Sequence, residues 1–265
     1  MYTRFQLAKK YLHYYITASN GKGHGIHSPF VFDFIKNVLR DKKQYDWYDI
    51  IESGRQKLLK QPARIEVEDF GAGSAILKTK QRVVGHIAAS SLKPKKYAQL
   101  LSRIVRHYKP ANMIELGTSF GITTSYLAAG NAGGKVYTIE GSSAIAEIAQ
   151  KTFEGTGFKN IELSVGNFDE VLPGLLVKLH SVDLAFIDGN HRKEPTLNYF
   201  KQLLPHSNHS AILIFDDIHW SADMEAAWAE IKQHPSVTLT LDLFFIGLVF
   251  INPDFKIPQH FNIRF

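Results

Sequence analysis

The sequence contains no cysteine, no long hydrophobic run and no internal repeat. The absence of cysteine excludes disulfide bonds, thiolate metal sites and cysteine nucleophiles, and it suits a reducing compartment. The longest apolar run, residues 243–251, is too short to span a bilayer. The first residues also have no apolar core of signal-peptide length. We therefore expect a cytoplasmic protein without a membrane partner.

The charge is distributed unevenly along the 265 residues. Residues 1–110 hold 21 Lys and Arg against 8 Asp and Glu (+13), and residues 111–265 hold 10 against 17 (−7), which gives +6 in all. A basic half can attract RNA, an acidic small molecule or an anionic surface. The alternative is a solvated face that balances an acidic neighbour. Because no basic run exceeds two residues, the second interpretation is favoured.

The first part of the chain shows helical patterns and no alternating strand pattern. The expected helices cover 3–18, 29–40, 45–60 and 94–108, while residues 65–91 fit no regular element. We therefore predict a helical extension or cap over 1–93 and a cofactor-binding catalytic domain over 94–265. Candidate residues for a lid over the substrate are His24, His27 and the glycine turn 69–74.

After Pro110 apolar segments alternate with helical segments. Strands are expected at 112–116, 135–140, 160–165, 182–187 and 210–215, and helices at 121–130, 142–155, 168–179, 193–204 and 221–233. This alternation predicts an α/β, Rossmann-like, doubly wound sheet of about seven strands. Two apolar runs at 237–241 and 246–251 have no helix between them, so the last strand is expected to enter antiparallel.

A glycine turn follows the first strand of this region. Gly117 and Gly121 allow a tight turn and close approach of the backbone to a ligand. Their spacing is not the G-x-G-x-x-G pattern of dinucleotide sites. S-adenosylmethionine (SAM) has no phosphate, and its amino-acid end needs polar groups instead. Glu115 can bind the ammonium of SAM, and either Thr118 or Thr123 can bind its carboxylate. Glu140 ends the next strand, where a carboxylate can accept both hydroxyls of a ribose.

Ligands of open α/β sheets bind beyond the carboxyl ends of the strands, so the residues that follow the later strands are candidates as well. After the third strand, Asn167 can bond an adenine edge and Phe168 can pack on its face. The fourth and fifth strands are followed by Asp188 and by Asp216-Asp217. The sequence also offers His219 and Trp220 as lining of a substrate pocket, with plain packing as the alternative for Trp220.

The three aspartates Asp188, Asp216 and Asp217 would repel one another unless protons or a cation lay between them. An all-oxygen set suits Mg²⁺, which can hold substrate oxygens and lower the pKa of a hydroxyl. The alternative is that the aspartates cap helices or pair with Arg192 or His219. His191 is a candidate general base because its ordinary pKa lies near neutrality; the alternative is a surface histidine.

The ordered motifs E-L-G-T-S-F-G at 115–121, Glu140, G-N-F at 166–168 and V-D-L-A-F-I-D at 182–188 resemble the class I SAM-dependent methyltransferases. The closest resemblance is to the catechol and caffeoyl-CoA O-methyltransferase branch. Asp188 and Asp216 match its metal-binding aspartates, whereas Asp217 occupies a position where the family usually has asparagine. His191 occupies the position of the family's catalytic lysine. Relatives in this branch are often dimers, so a homodimer is an open alternative.

The resemblance and the residues together predict a SAM-dependent enzyme that methylates a hydroxyl of a small molecule. The expected catalytic residues are Asp188, His191 and Asp216. The expected cofactor-binding residues are Glu115, Gly117, Thr118, Gly121, Thr123, Glu140, Gly166, Asn167, Phe168 and Asp188. Two alternatives stay open, an RNA methyltransferase that uses the basic N-terminal part and a non-catalytic SAM- or dinucleotide-binding protein.

Overall fold

The structure is a computed structural model that describes residues 1–19, 21, 23, 27–68 and 79–265. The chain folds into two compact units. One, the split unit, combines Met1–Asp41 with Leu179–Phe265, and the other, the central unit, is the continuous segment Lys42–Lys178. None of the described helices is both long and apolar enough to cross a membrane.

The central unit contains three parallel strands in the order β3-β4-β5 and a separate antiparallel pair, β1 and β2. The strands are β1 (Arg64–Glu68), β2 (Thr79–Val83), β3 (Asn112–Leu116), β4 (Lys135–Glu140) and β5 (Ile161–Val165). The helices are α3 (Asp46–Leu59), α4 (Val84–Ser91), α5 (Lys95–Tyr108), α6 (Ile122–Gly130), α7 (Ser143–Thr156) and α8 (Phe168–Leu179), which ends at the first residue of the split unit.

Helix α5 shows how sequence and packing agree in the central unit. Its buried apolar residues, Leu100, Leu101, Ile104 and Val105, recur at helical spacing and form one face. The helix ends at Tyr108 because Lys109 adopts a left-handed conformation with φ 50°. Pro110 follows and cannot continue the helix, as the sequence predicted. The chain therefore turns directly into β3.

The split unit contains five strands in the order β10-β8-β9-β7-β6. They are β6 (Val182–Ile187), β7 (Ser207–Asp216), β8 (Leu239–Asp242), β9 (Ile246–Phe250) and β10 (Gln259–Asn262). β6 is parallel to β7 and β10 is parallel to β8, whereas β9 is antiparallel to both β7 and β8. The helices are α1 (Arg4–Thr17), α2 (Pro29–Phe34), a π-helical turn (Ile35–Leu39), α9 (Lys193–Leu203), a 3₁₀ turn (Leu204–His206) and α10 (Ala222–Gln233).

The predicted α/β class is confirmed, with alternating strands and helices over 112–233 close to the expected bounds. The three-stranded and the five-stranded set together contain eight strands, against about seven expected. The antiparallel strand is confirmed as β9, but it is not the last strand. β10 was missed because Gln259–Asn262 is only four residues long and includes a single large apolar residue, Phe261.

The N-terminal prediction needs a second correction. The helices expected at 3–18, 29–40 and 45–60 are present, but β1, β2 and α4 occupy most of 64–91, so the extension is not helical throughout. His24 and the glycine turn 69–74 lie outside the described residues, and His27 is exposed. The two compact units also divide the chain at positions other than 93 and 94. The predicted functional boundary therefore stays a prediction.

Gly121 is the position where the glycine turn depends most on the absence of a side chain. Its φ is +78°, and an added Cβ would lie 2.4 Å from Cε1 of Phe153. We expect Gly121→Ala to lower the free energy of unfolding by about 2–4 kcal/mol. Gly155, inside α7, has no atom within 4 Å of an added Cβ, so Gly155→Ala is the matched control.

Urea unfolding of both variants checks this expectation. Gly155→Ala should be neutral or gain up to about 1 kcal/mol, because alanine restricts the unfolded chain more than glycine. Equal stabilities of the two variants would contradict the steric role of Gly121.

Candidate active site

The turn between β3 and α6 has an unusual backbone. Gly117, Ser119 and Gly121 have φ values of 104°, 48° and 78°. The amides of Gly117 and Thr118 both donate to the carbonyl of Ile139, at 3.0 and 3.3 Å. The turn is therefore fastened to the end of β4 by main-chain bonds. Left-handed conformations permit this path, and glycine adopts them at the least cost.

Glu115 lies fully buried at the end of β3 and connects four elements. Its Oε2 accepts hydrogen bonds from Thr124 on α6, at 2.5 Å, and from Thr138 on β4, at 2.6 Å. The Thr138 hydroxyl is 2.5 Å from that of Thr118 in the glycine turn. Because Thr138 gives its proton to Glu115, Thr118 must donate to Thr138. This set of one carboxylate and three hydroxyls joins the two strands, the turn and the helix.

Glu140 ends β4 with both carboxylate oxygens oriented by the main chain. Oε2 accepts from the amide of Ser119, at 2.9 Å, and Oε1 accepts from the amide of Ser142, at 3.0 Å. Burial raises the pKa of Glu140, and the bonds from these backbone amides lower it by less, so the pKa lies above the ordinary 4.5. The structure thus holds a carboxylate at the strand end predicted to meet a ribose.

The 166–168 turn is built around Gly166, whose φ is 150° and whose amide donates to the carbonyl of Glu140 at 2.9 Å. Asn167 Oδ1 accepts from the amide of Asp169 at 3.0 Å, so the side-chain oxygen of Asn167 stabilises the start of α8. Phe168 is partly buried. The adenine contacts expected of Asn167 and Phe168 stay predictions.

The sequence analysis missed the two serines whose backbone amides donate to Glu140, Ser119 and Ser142. A backbone amide contact does not depend on the side chain, so no side-chain pattern predicts it. The Ser142 hydroxyl is also buried and has no hydrogen-bond partner among the described residues. A buried hydroxyl beside a functional carboxylate is a candidate ligand contact.

In the split unit, the structure brings together the three residues predicted to be catalytic. Asp188, His191 and Asp216 each place one donor atom within 4.8 Å of the others, as judged among the described residues. His191 Nε2 lies 3.6 Å from Asp188 Oδ1. Asp216 is buried, whereas Asp188 and His191 are partly exposed. The loop that carries His191 has left-handed φ values at Asn190, 68°, and His191, 29°. Such strained residues cluster at functional sites.

Asp217 does not belong to this group of donor atoms, which includes His191 instead. Its φ is 53°, and its amide donates to the carbonyl of Phe245 at 2.7 Å. The two expected alternative partners of the aspartates are bonded to other residues. Arg192 donates to Asn190, at 2.9 Å, and His219 bonds Glu225 and Asp242. A metal-binding role of Asp217 stays a prediction that this arrangement does not favour.

His219 was a candidate for lining a substrate pocket. Both of its ring nitrogens contact carboxylates, Nδ1 at 3.0 Å from Glu225 Oε1 and Nε2 at 2.8 Å from Asp242 Oδ2. Its ring also stacks on Phe244 with centroids 5.0 Å apart. Neither Glu225 nor Asp242 was predicted, because no spacing rule connects them with His219.

Residues 114–218, which contain the glycine turn, Glu140 and the Asp188 cluster, match the sequence model of a family described as a methyltransferase domain. This part of the chain is therefore similar in sequence to methyltransferase domains.

Among curated proteins, a transmembrane O-methyltransferase homolog of Rattus norvegicus is 32% identical over 127 residues, which is 45% of this chain and 48% of the relative. The transmembrane O-methyltransferase of Propithecus coquereli is 38% identical over 94 residues, 34% of each chain. The chain spans about half the length or less of these curated relatives.

Two solved structures show the same fold. The O-methyltransferase of Bacillus cereus in complex with S-adenosylhomocysteine (SAH) has a TM-score of 0.57 and 20% identity, covering 83% of this chain and 97% of that one. TomG of Streptomyces achromogenes in complex with SAM has a TM-score of 0.57 and 16% identity, covering 82% and 95%. Both confirm the Rossmann-like fold. The family match and the curated relatives named O-methyltransferases confirm the resemblance that the motifs indicated.

The Glu115 network yields a test of the central unit. Thr138→Val keeps the shape of the side chain but removes the hydroxyl that joins Glu115 to Thr118. We expect a loss of about 1–3 kcal/mol in the free energy of unfolding, because a buried carboxylate loses a donor. Thr152→Val is the control, since its hydroxyl donates to the carbonyl of Ile148 in the same helix. If urea unfolding gives equal stabilities for both variants, the network does not stabilise the unit.

Proposed function

We propose that the chain is a SAM-dependent O-methyltransferase that acts on a hydroxyl group of a small molecule. The observation that carries the proposal is the position of Glu140. It ends β4 inside the region that matches a methyltransferase domain, with both carboxylate oxygens oriented by backbone amides. A carboxylate at this place can accept the two hydroxyls of the SAM ribose.

The hydrogen bonds favour one arrangement of the amino-acid end of SAM. Glu115 supplies negative charge for the ammonium. Thr118 gives its hydroxyl proton to Thr138, which favours Thr123 as the donor to the carboxylate. Thr123 is the second residue of α6, where amides without partners in the first helical turn also attract an anion.

We assign the chemical step to Asp188, His191 and Asp216. When bound, SAM would supply an electrophilic methyl group to the substrate oxygen and would leave as SAH, with the sulfur keeping the electron pair of the carbon–sulfur bond. His191 takes the hydroxyl proton, and the Asp188 carboxylate, 3.6 Å away, stabilises the imidazolium that results. Much of the rate would come from positioning the reactants and excluding water.

A divalent cation is the alternative activator of the hydroxyl. When bound, it would lower the pKa of the hydroxyl and hold the substrate oxygen. The two carboxylates of Asp188 and Asp216 fit Mg²⁺, whereas an imidazole as third ligand favours a transition metal. His191 cannot use one nitrogen both as a ligand and as the base. Activity in the presence of a chelator, with and without added Mg²⁺ or Mn²⁺, separates these two roles.

Glu140 makes SAH affinity depend on pH. The ionised carboxylate accepts two ribose hydroxyls more strongly than the protonated acid, in which one oxygen carries a hydrogen. Because the pKa of Glu140 is raised, affinity should fall with decreasing pH at values above the ordinary carboxyl value of 4.5. Glu140→Gln should weaken SAH binding about tenfold or more and lose this component of the pH dependence.

Calorimetric titration of both proteins with SAH and NAD over a range of pH tests the cofactor. Binding of NAD alone would point to a dinucleotide site, and unchanged SAH affinity in the variant would remove Glu140 from the site.

Asp188→Asn tests the assignment of the chemical step. We expect turnover to fall at least about a hundredfold, because the proton acceptor loses its carboxylate partner. SAH formation is measured with a panel of phenols, catechols and hydroxy acids, and Asp223→Asn, an exposed residue of α10, is the control. Undiminished turnover in Asp188→Asn would place the active site elsewhere.

A further inference from the structure

The two carboxylates that contact His219 define its protonation state. Ionised carboxylates only accept hydrogen bonds, so contacts at both Nδ1 and Nε2 require a hydrogen on each nitrogen. His219 is then an imidazolium that bridges Glu225 on α10 and Asp242 at the end of β8. Its ring is mostly covered, since 22% of the side chain is exposed. Charge-assisted bonds of this kind are short and strong.

The N-terminal segment completes the network. Lys10 of α1 donates to Glu225 Oε2 at 2.9 Å, and the Tyr2 hydroxyl donates to the same oxygen at 2.7 Å. On the other side, Asp242 accepts from Trp228 Nε1 at 3.1 Å. Two cations, Lys10 and His219, thus balance two carboxylates. When opposite charges balance within a hydrogen-bonded cluster, the free-energy cost of partly burying them is low. The loss of one member leaves a charge unbalanced.

This network is attached to the loop that follows Asp216, the carboxylate assigned to the chemical step. His219 lies three residues after Asp216 in the chain. The Tyr2 amide donates to the carbonyl of Trp220 at 3.0 Å, and the Trp220 amide donates to the carbonyl of Asp217 at 2.9 Å. The loop 217–220 is therefore held by the N-terminal segment through its main chain and through the His219 side chain.

We propose that His219 is a positioning residue, which with Tyr2 and Lys10 fastens the loop 217–220 and so holds Asp216 beside Asp188 and His191. We name the group formed by Tyr2, Lys10, His219, Glu225 and Asp242 the clasp. This proposal rests on the proposed function only for its catalytic consequence. Under this proposal, α1 supports the reaction by holding the loop 217–220, without contacting the substrate.

The clasp responds to pH in a defined direction. Burial lowers the pKa of His219, but the hydrogen bonds and charges of Asp242 and Glu225 outweigh burial and raise it above 6.5. A raised pKa means that the clasp contributes its full stability below the unfolded-state pKa and loses it as pH rises through the folded-state pKa. The ionisable groups that face the ring are Glu225 and Asp242, with Lys10 and Tyr2 bonded to Glu225.

Lys10→Met is the principal test, with Lys9→Met as the matched control. Both remove one positive charge from α1, but Lys9 is exposed and makes no ion pair among the described residues. Amide hydrogen exchange should become about tenfold faster at Tyr2, Asp217 and Trp220 in Lys10→Met and stay unchanged in Lys9→Met. Equal exchange in both variants would overturn the proposal.

Tyr2→Phe removes one donor without altering charge and keeps the test valid if Lys10→Met unfolds. It should accelerate exchange at the same amides by a smaller factor. Nitrogen-15 spectra of the histidine rings should show His219 doubly protonated at neutral pH, and a neutral ring there would contradict the clasp.

Kinetics then separate positioning from general stability. With any acceptor that is turned over, Lys10→Met should lower kcat about tenfold and leave SAH affinity unchanged. Unchanged kcat in Lys10→Met would refute the link to catalysis. If no acceptor is turned over, the proposed function fails, whereas exchange and spectra still decide whether the clasp exists.

Discussion

The burial of the Glu115 carboxylate is the constraint on which the central unit depends. A buried carboxylate is costly unless donors surround it, and the threonines at 124 and 138 supply hydroxyls from α6 and β4. Thr118 extends the set into the glycine turn. Because these partners come from different elements, satisfying one charge also sets the position of the turn against both strands. Residues that we propose to bind the cofactor thus also hold the scaffold together.

Glu140 shows the opposite balance. Its carboxylate is oriented by two amides, yet burial raises its pKa, so the ligand-free protein holds an ionised group in an unfavourable place. Ribose hydroxyls would supply the missing donors. A polar group that lacks donors in the free protein can gain them from a ligand, and this gain contributes to affinity. Hydrogen bonds that are already made in the free protein add little affinity. The carboxylate of Glu115 therefore stabilises the unit, whereas the carboxylate of Glu140 is suited to the proposed ligand binding.

Much of the fold was predictable because its signals are local. Apolar strands, helical spacing, Pro110 after α5 and Gly117 and Gly121 in the turn are read within short windows of sequence, and the structure has them near the expected positions. β10 was missed because its single large apolar residue forms no alternating pattern, and because it pairs with β8, which lies about 20 residues earlier in the chain. The strands β1 and β2 likewise depend on each other across the chain.

The sequence by itself determined the alternation of strands and helices, the glycine turn, and which carboxylates end the strands, because each of these follows from residue type and spacing. Tertiary structure alone decided the partners. It grouped His191 with Asp188 and Asp216 and left Asp217 apart, although Asp216 and Asp217 are adjacent. It also brought Lys10 to Glu225, 215 residues away, and gave His219 two carboxylates. Such contacts depend on how distant segments pack, and no local pattern encodes that packing.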